Sequence, residues 1–151
     1  NTGFSYTPPR SFLTTPLTHS RDSRYSMPMS FVDRRSIAGV VGGYFRALRE
    51  SDPGLIEEAF HPEARIMGAP EGREHVTDRD DFVAFIGDTP SPAAAGERED
   101  MTFALLHETG SSAAVMCRVF YLGIYVVDLL LLARHVSGWR IMAKVFHREE
   151  S

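Results

Sequence analysis

The first sustained pattern along the chain is helical, with apolar side chains at i, i+3, i+4 and i+7 spacing in the segment 37–48. These side chains are Ile37, Val40, Val41, Tyr44, Phe45 and Leu48. Ser30 and Asp33 have the spacing of a capping box, which predicts that the helix begins there. Glycines at 39, 42 and 43 each cost about 1 kcal/mol relative to alanine inside a helix. They therefore predict a close approach to another backbone.

Shorter elements follow, and then a run of longer strands. Asp52 and Pro53 predict the N-cap and first residue of a second helix that ends at Phe60. Short strands are predicted at 65–69 and 74–77, with a third helix beginning near Thr77. Four β-rich segments, at 101–108, 113–122, 125–136 and 139–147, predict an antiparallel meander. Helices first and strands last favour an α+β fold.

The turn at Ser137-Gly138 predicts which strand residues lie opposite each other. If Val136 faces Trp139, then Asp128 faces His147 across the last hairpin. The preceding turn is either Leu122-Gly123 or Gly123-Ile124, and both choices give the same faces. One face is then almost wholly apolar and is expected to lie against the helices; it includes Val119, Tyr121, Leu130 and Trp139, with Asp128 and His147 at one end.

The opposite face of the predicted sheet mixes large apolar side chains with charges. It collects Phe120, Leu129, Leu131, Met142, Lys144 and Phe146. A surface of this kind is typical of a subunit interface, so a homodimer through this outer face is expected. Lys144, the only lysine, is expected to serve at the interface or in an ion pair rather than in Schiff-base chemistry.

Three segments of the sequence resemble the NTF2-like (SnoaL-like) superfamily. The segment 44–48 with Asp52 and the segment 59–65 are similar to its opening, and 138–147 is similar to its last hairpin. The loop at 91–97, together with Asp128, resembles the branch labelled putative lumazine-binding. The resemblance implies an NTF2-like (cystatin-like) cone, with a curved antiparallel sheet wrapped over N-terminal helices around an internal pocket. It also implies a homodimer, and the superfamily contains both enzymes and non-catalytic binding domains.

Composition narrows the function classes. A chain of 151 residues with 43% hydrophobic and 24% charged residues is ordinary for one globular domain. A net charge of −4 favours neither a nucleic-acid nor a membrane partner, and no apolar run approaches the roughly 18 residues of a membrane helix. The single cysteine, Cys117, is typical of a reducing compartment, so a cytoplasmic location is expected.

Residues 1–30 differ from the predicted domain at 31–148. They hold four of the nine prolines and contain neither Glu nor Lys. The prolines interrupt any helical or strand periodicity in this segment, which predicts an extended or disordered arm. Met27 or Met29 is a plausible natural start.

Asp128 is the most informative side chain, because a carboxylate on an apolar face is costly unless it is paired or protonated. Two interpretations stay open: a structural Asp128–His147 pair, or a general base or acid with His147 as proton partner. Tyr44, Tyr121, Trp139, Val119 and Leu130 are the predicted pocket residues. No metal site and no cofactor are expected, since only Asp128 and His147 converge.

The sequence is compatible with two functions. One is cofactor-free proton transfer on an apolar substrate, as in an isomerase, dehydratase or cyclase. The other is a non-catalytic homodimer that binds a small apolar ligand or a protein partner. A second ionisable group beside Asp128 inside the cone would favour the enzyme.

Overall fold

The computed structural model describes residues 35–150, and the predicted N-terminal arm at 1–30 lies outside them. Residues 35–150 contain three helices, α1 (Ile37–Glu50), α2 (Pro53–Ala59) and α3 (Arg79–Asp88). The same residues contain six strands, which are β1 (Phe60–Gly68), β2 (His75–Asp78), β3 (Met101–Thr109), β4 (Ser112–Tyr121), β5 (Ile124–His135) and β6 (Gly138–Arg148). A short 3₁₀ turn at Pro70–Gly72 separates β1 from β2.

Helix α1 begins later than the Ser30–Asp33 spacing predicts. Its N-cap is Ser36, whose hydroxyl accepts a hydrogen bond from the backbone N–H of Gly39 at 3.0 Å. The apolar stripe of α1 is buried against the sheet, with Val41 and Tyr44 fully inaccessible. The N-cap of α2 is Asp52, as predicted, and its carboxylate accepts from the N–H groups of Gly54 and Leu55.

The glycines of α1 do not all mark a close backbone contact. A Cβ added at Gly43 would meet no heavy atom within 4 Å, so that prediction is wrong at this position. Instead, a cavity of about 40 Å³ lies between α1 and α2, lined by Gly39, Gly43 and Leu55 among others.

The strands form one curved, unclosed sheet in the order β2-β1-β6-β5-β4-β3. Strands β3 to β6 are the predicted antiparallel meander. Strand β1 joins the sheet parallel to β6, which makes the sheet mixed. The predicted α+β cone is confirmed, with the helices against the concave face.

The β4–β5 turn takes the first of the two predicted alternatives, Leu122-Gly123. Tyr121 pairs with Ile124, and Leu122 and Gly123 have φ of 52° and 84°. Two positive φ values match the right-handed twist of the flanking strands. The Glu97 carboxylate also accepts hydrogen bonds from both turn N–H groups, at 3.0 and 3.1 Å.

The β5–β6 register departs from the prediction in two ways. The turn is Val136-Ser137, because His135 pairs with Gly138; this keeps Trp139 and Ile141 on the concave face. Past Ile141, Met142 is an extra residue: Leu132 pairs with Ile141, but Leu131 pairs with Ala143. This β-bulge reverses the faces of all later residues in β6.

The bulge corrects the predicted faces of the last strand. Val119, Tyr121, Leu130, Trp139 and Asp128 are buried, as predicted. The corrections concern the end of β6, where Lys144 and Phe146 turn inward, and Val145 and His147 turn outward.

Within residues 35–150, no helix is both long and apolar enough to cross a membrane.

Candidate functional site

Three polar side chains from three different elements meet inside the cone. Tyr44 comes from the apolar stripe of α1, Asp128 from the middle of β5, and Lys144 from β6 after the bulge. Tyr44 and Asp128 are 0% exposed and Lys144 is 7% exposed. A buried carboxylate and a nearly buried ammonium are rare unless they are paired. We call these three residues the polar cluster.

The polar cluster is a directional hydrogen-bond chain. The Lys144 Nζ donates to the Tyr44 hydroxyl at 2.8 Å, and that hydroxyl donates to the Asp128 Oδ2 at 2.6 Å. The Lys144 Nζ also lies 3.6 Å from the Asp128 Oδ1, an ion-pair distance too long for a hydrogen bond. The ammonium therefore reaches one carboxylate oxygen through the tyrosine and faces the other across a gap.

The Asp128 Oδ1 is the unusual atom of the polar cluster. It is buried and has no hydrogen-bond partner in the part of the chain that the structure describes. A buried acceptor left in this state costs about 1–3 kcal/mol, and more when it is charged. The atom is thus an open acceptor beside an ammonium that has further N–H donors.

Burial controls the protonation of two neutral groups at the site. Burial raises the pKa of Tyr44 well above its ordinary value, and the nearby charge of Asp128 raises it further. The phenol therefore stays protonated and remains a donor to the carboxylate. Cys117 pairs with Asp128 across β4 and β5, and burial likewise raises the pKa of its thiol. It stays a neutral thiol rather than a nucleophilic thiolate.

Aromatic rings surround the polar cluster. The Lys144 Nζ lies 4.6 Å from the centre of the Phe82 ring and 5.7 Å from that of Phe146. The Tyr44 ring packs edge-on against Phe60 at 5.5 Å, and Phe60 packs against Phe82 at 5.4 Å. The charged groups are thus enclosed by apolar walls that strengthen their interactions with one another and with any bound molecule.

The predicted Asp128–His147 pair is wrong. The residue opposite Asp128 is Phe146, and His147 pairs with Val127 and is exposed on the outer face. The geometric reason for a role of His147 is therefore absent. Lys144, expected on the outer face, instead occupies the place beside Asp128.

The predicted pocket residues are all buried in the core. Tyr44 belongs to the polar cluster, whereas Val119, Leu130 and Trp139 pack in the apolar core around it. Tyr121 is 9% exposed, and burial raises the pKa of its phenol. Whether these residues touch a ligand stays a prediction.

Three other histidines pack against aromatic rings rather than against the polar groups of the cluster. His61 and His135 stack on each other with ring centres 4.8 Å apart, and His75 packs edge-on against Phe146 at 5.5 Å. Among residues 35–150, no three His, Cys, Asp or Glu side chains are grouped so as to hold a metal ion.

Strict alternation through β6 predicts Lys144 on the outer face, and the bulge before it makes that prediction wrong. A signal was present in the sequence. A buried carboxylate needs a cationic or hydrogen-bonding partner, and Lys144 is the one lysine of the chain. A one-residue bulge between Ile141 and Lys144 brings that lysine to the carboxylate.

Comparison with known proteins places this geometry in a family context. The family model described as "Putative lumazine-binding" matches residues 32–147. Among solved structures, an NTF-2-like protein of unknown function from Silicibacter pomeroyi DSS-3 is 24% identical, with a TM-score of 0.64 over 75% of this chain and 92% of that one. An NTF2-like protein of unknown function from Shewanella baltica OS155 is 18% identical, with a TM-score of 0.65 over 76% and 92%.

A third solved structure is similar to the same degree. An NTF2-like protein of unknown function from Methylobacillus flagellatus KT is 19% identical, with a TM-score of 0.63 over 76% of this chain and 90% of that one. Among curated proteins, no significant match is found.

Removing the central hydroxyl tests the energetics of the polar cluster. Tyr44→Phe leaves both Asp128 oxygens without a hydrogen bond and Lys144 without its acceptor. We expect the free energy of unfolding to fall by about 1–3 kcal/mol, measured by urea denaturation. The matched control is Tyr125→Phe, whose hydroxyl donates to Asp100 in a partly exposed site that water can enter. Equal losses in the two variants would contradict this view of the polar cluster.

Proposed function

Because the chain belongs to the NTF2-like superfamily, and within it to the putative lumazine-binding family, we propose that it binds a small flat heterocycle at the polar cluster. The observation that carries the proposal is the buried Asp128 Oδ1, which has no hydrogen-bond partner within residues 35–150. Such an atom is stabilised when a ligand supplies the missing donor.

The pattern of donors and acceptors suits a ring that carries an N–H group next to a carbonyl. The Asp128 Oδ1 accepts from the ligand N–H, and the Lys144 ammonium donates to the neighbouring carbonyl oxygen. The 3.6 Å gap between the two groups keeps them from satisfying each other fully. Lumazine, a pteridine dione, presents such an edge. Its flat rings also match the aromatic walls formed by Phe60 and Phe82.

Lys144 lies on the side of the polar cluster that is nearest to solvent. This residue is the one member that reaches solvent, and its neighbour Phe146 is partly exposed. The cavity between α1 and α2 lies elsewhere, and none of its lining residues belongs to the polar cluster. We propose that a ligand enters on this side, beside the Lys144 stem and the Phe146 ring.

Proton transfer at the same place is a second proposal. It is favoured by the position of Asp128, whose Oδ2 is held by Tyr44 while the Oδ1 keeps its lone pairs. A carboxylate fixed in this way is oriented to remove a proton from a bound substrate. The Lys144 ammonium would stabilise the negative charge that develops on the substrate. Lys144 is the second ionisable group whose presence the enzyme interpretation requires.

A homodimer is proposed from the outer sheet face. Met116, Leu129 and Val145 lie side by side on β4, β5 and β6, and Leu131 adjoins them. Their exposed fractions of 40–55% are large for neighbouring apolar side chains. The predicted members Lys144 and Phe146 are replaced by Val145 and His147, because the bulge reverses the faces of the residues that follow it.

Ligand binding is tested with lumazine and its 1,3-dimethyl derivative, which lacks both ring N–H donors. We expect lumazine to raise the thermal midpoint of the protein and the derivative to bind more weakly. Asp128→Asn should weaken lumazine binding by about tenfold or more, since hydrogen bonds to a charged acceptor contribute about 1.5–3 kcal/mol. Calorimetry at a temperature where both proteins are folded measures the affinities. Asp100→Asn is the control; equal affinity for the two compounds would overturn the proposal.

Proton transfer is tested by deuterium uptake. An apolar cyclic ketone incubated with the protein in heavy water should gain deuterium at its α-carbon faster than in buffer, as followed by NMR. Asp128→Asn should abolish the acceleration while Asp100→Asn retains it. Exchange at the buffer rate with the parent protein would reject a proton-transfer function for such ketones.

The dimer is tested with a charge placed in the apolar patch. Leu131→Arg should convert a dimer into monomer, because the charge would be buried without a partner at the interface. Val136→Arg is the matched control, since Val136 is fully exposed in the hairpin turn outside the patch. Sedimentation measures the mass. A parent protein that is monomeric at micromolar concentration would contradict the dimer.

A further inference from the structure

The hydrogen-bond chain can turn the buried ion pair into a neutral pair. The Lys144 Nζ donates to the Tyr44 hydroxyl, which donates to the Asp128 Oδ2. If the two bridging protons move together along this chain, the result is a neutral amine, an intact phenol and a carboxylic acid. Tyr44 keeps a proton throughout, so the path requires no phenolate.

The surroundings of the nitrogen favour a reactive amine. The Lys144 Nζ is enclosed by the rings of Tyr44, Phe82 and Phe146, at 5.3, 4.6 and 5.7 Å from their centres. In the described structure its one hydrogen bond is the bond to Tyr44. Lysines that serve as amine nucleophiles are desolvated in apolar sites of this kind. The expectation that this lysine has no such role depended on its predicted place on the outer face.

We propose that Lys144 forms an imine with the carbonyl carbon of an apolar aldehyde or ketone. The inference rests on the proposed ligand site, since the carbonyl compound reaches the nitrogen by the same route along the lysine stem. It names a second ligand class, an apolar carbonyl compound, for that site. Imine formation also gives Asp128 a role beside Lys144, because its carboxyl group accepts and returns the protons of the reaction.

The reaction balances without a cofactor. The amine nitrogen attacks the carbonyl carbon, a C–N bond forms, and the carbonyl oxygen takes the proton held by Asp128. The nitrogen returns a proton to the Asp128 carboxylate, which gives a neutral carbinolamine. Asp128 then protonates the hydroxyl group, water departs as the nitrogen lone pair forms the C=N bond, and the resulting iminium returns its N–H proton to the Asp128 carboxylate to leave the imine. One carbonyl compound and one amine thus yield one imine and one water, and nothing is oxidised or reduced.

The chain has few amines, so labelling of Lys144 can be compared directly with labelling of the N-terminus. Lys144 is the only lysine of these 151 residues, so their amines are its Nζ and the N-terminal amine. At pH 7 the N-terminal amine of an ordinary chain is neutral about 300-fold more often than an ordinary lysine. Trapping with butanal and sodium cyanoborohydride, followed by peptide mapping, then compares the two sites within one molecule.

We expect Lys144 of the folded protein to be alkylated at least as fast as the N-terminus, and the N-terminus to dominate in urea. Tyr44→Phe should slow labelling of Lys144 by about 100-fold, as expected for loss of a proton relay. Asp128→Asn should do the same, and the N-terminal labelling rate should not change. Tyr125→Phe is the control that keeps the labelling, and Lys144→Arg verifies the assignment of the modified peptide.

Labelling of Lys144 no faster in the folded protein than in urea would overturn the proposal. So would equal labelling in the Tyr44→Phe and Tyr125→Phe variants. Lumazine binding without trapping would leave the ligand site in place and remove the imine. Trapping without lumazine binding would retain the imine and remove the heterocycle as ligand.

Discussion

The architecture depends on one electrostatic constraint, the need to partner a carboxylate that is fully buried on the concave face. Asp128 sits between Cys117 and Phe146 on the neighbouring strands, with no contact to solvent. Leaving such a charge unpaired costs several kcal/mol. Helix α1 supplies the Tyr44 hydroxyl, and β6 supplies the Lys144 ammonium. The polar cluster therefore ties the first helix to two central strands, and it fixes which face of each must point inward.

The bulge at Met142 is the backbone consequence of that constraint. Ile141 and Lys144 could not both face the core in a strand that alternates without interruption. One extra residue between them lets β6 place Trp139 and Ile141 in the apolar core and Lys144 at the carboxylate. The same step sends Val145 and His147 outward and completes the apolar row on the outer face. One inserted residue thus shapes both the proposed ligand site and the proposed dimer surface.

The sequence predicted most elements correctly because their signals are local. The apolar stripe of α1, the Asp52 cap of α2 and the alternating strands β4 and β5 all follow from neighbouring residues. The Leu122-Gly123 turn was one of two alternatives that gave the same faces. The errors arose where the determinant is distant in sequence. Met142 carries no local mark of a bulge, and the parallel pairing of β1 with β6 joins segments that are far apart along the chain.

The sequence predicted two members of the polar cluster but not the third, Lys144, and the lysine decides the chemistry of the cluster. Asp128 and Tyr44 were both named, but Asp128 was paired with a histidine rather than with the lysine. A histidine partner would have offered a group that changes charge near neutral pH. A lysine held through a phenol offers a nitrogen nucleophile and a proton path instead.

The energetics of such a cluster favour a functional over a purely structural role. Replacing a buried ion pair with well-packed apolar residues is often neutral or stabilising by about 1–4 kcal/mol. Stability alone therefore does not call for three polar groups at the centre of the cone. Among the described residues, the arrangement also leaves the Asp128 Oδ1 without a hydrogen-bond donor, which lowers the stability of the fold. A ligand that supplies a donor to this oxygen recovers that cost. The Asp128 Oδ1 therefore lowers the stability of the folded protein, and it raises the affinity for a ligand that supplies a hydrogen-bond donor.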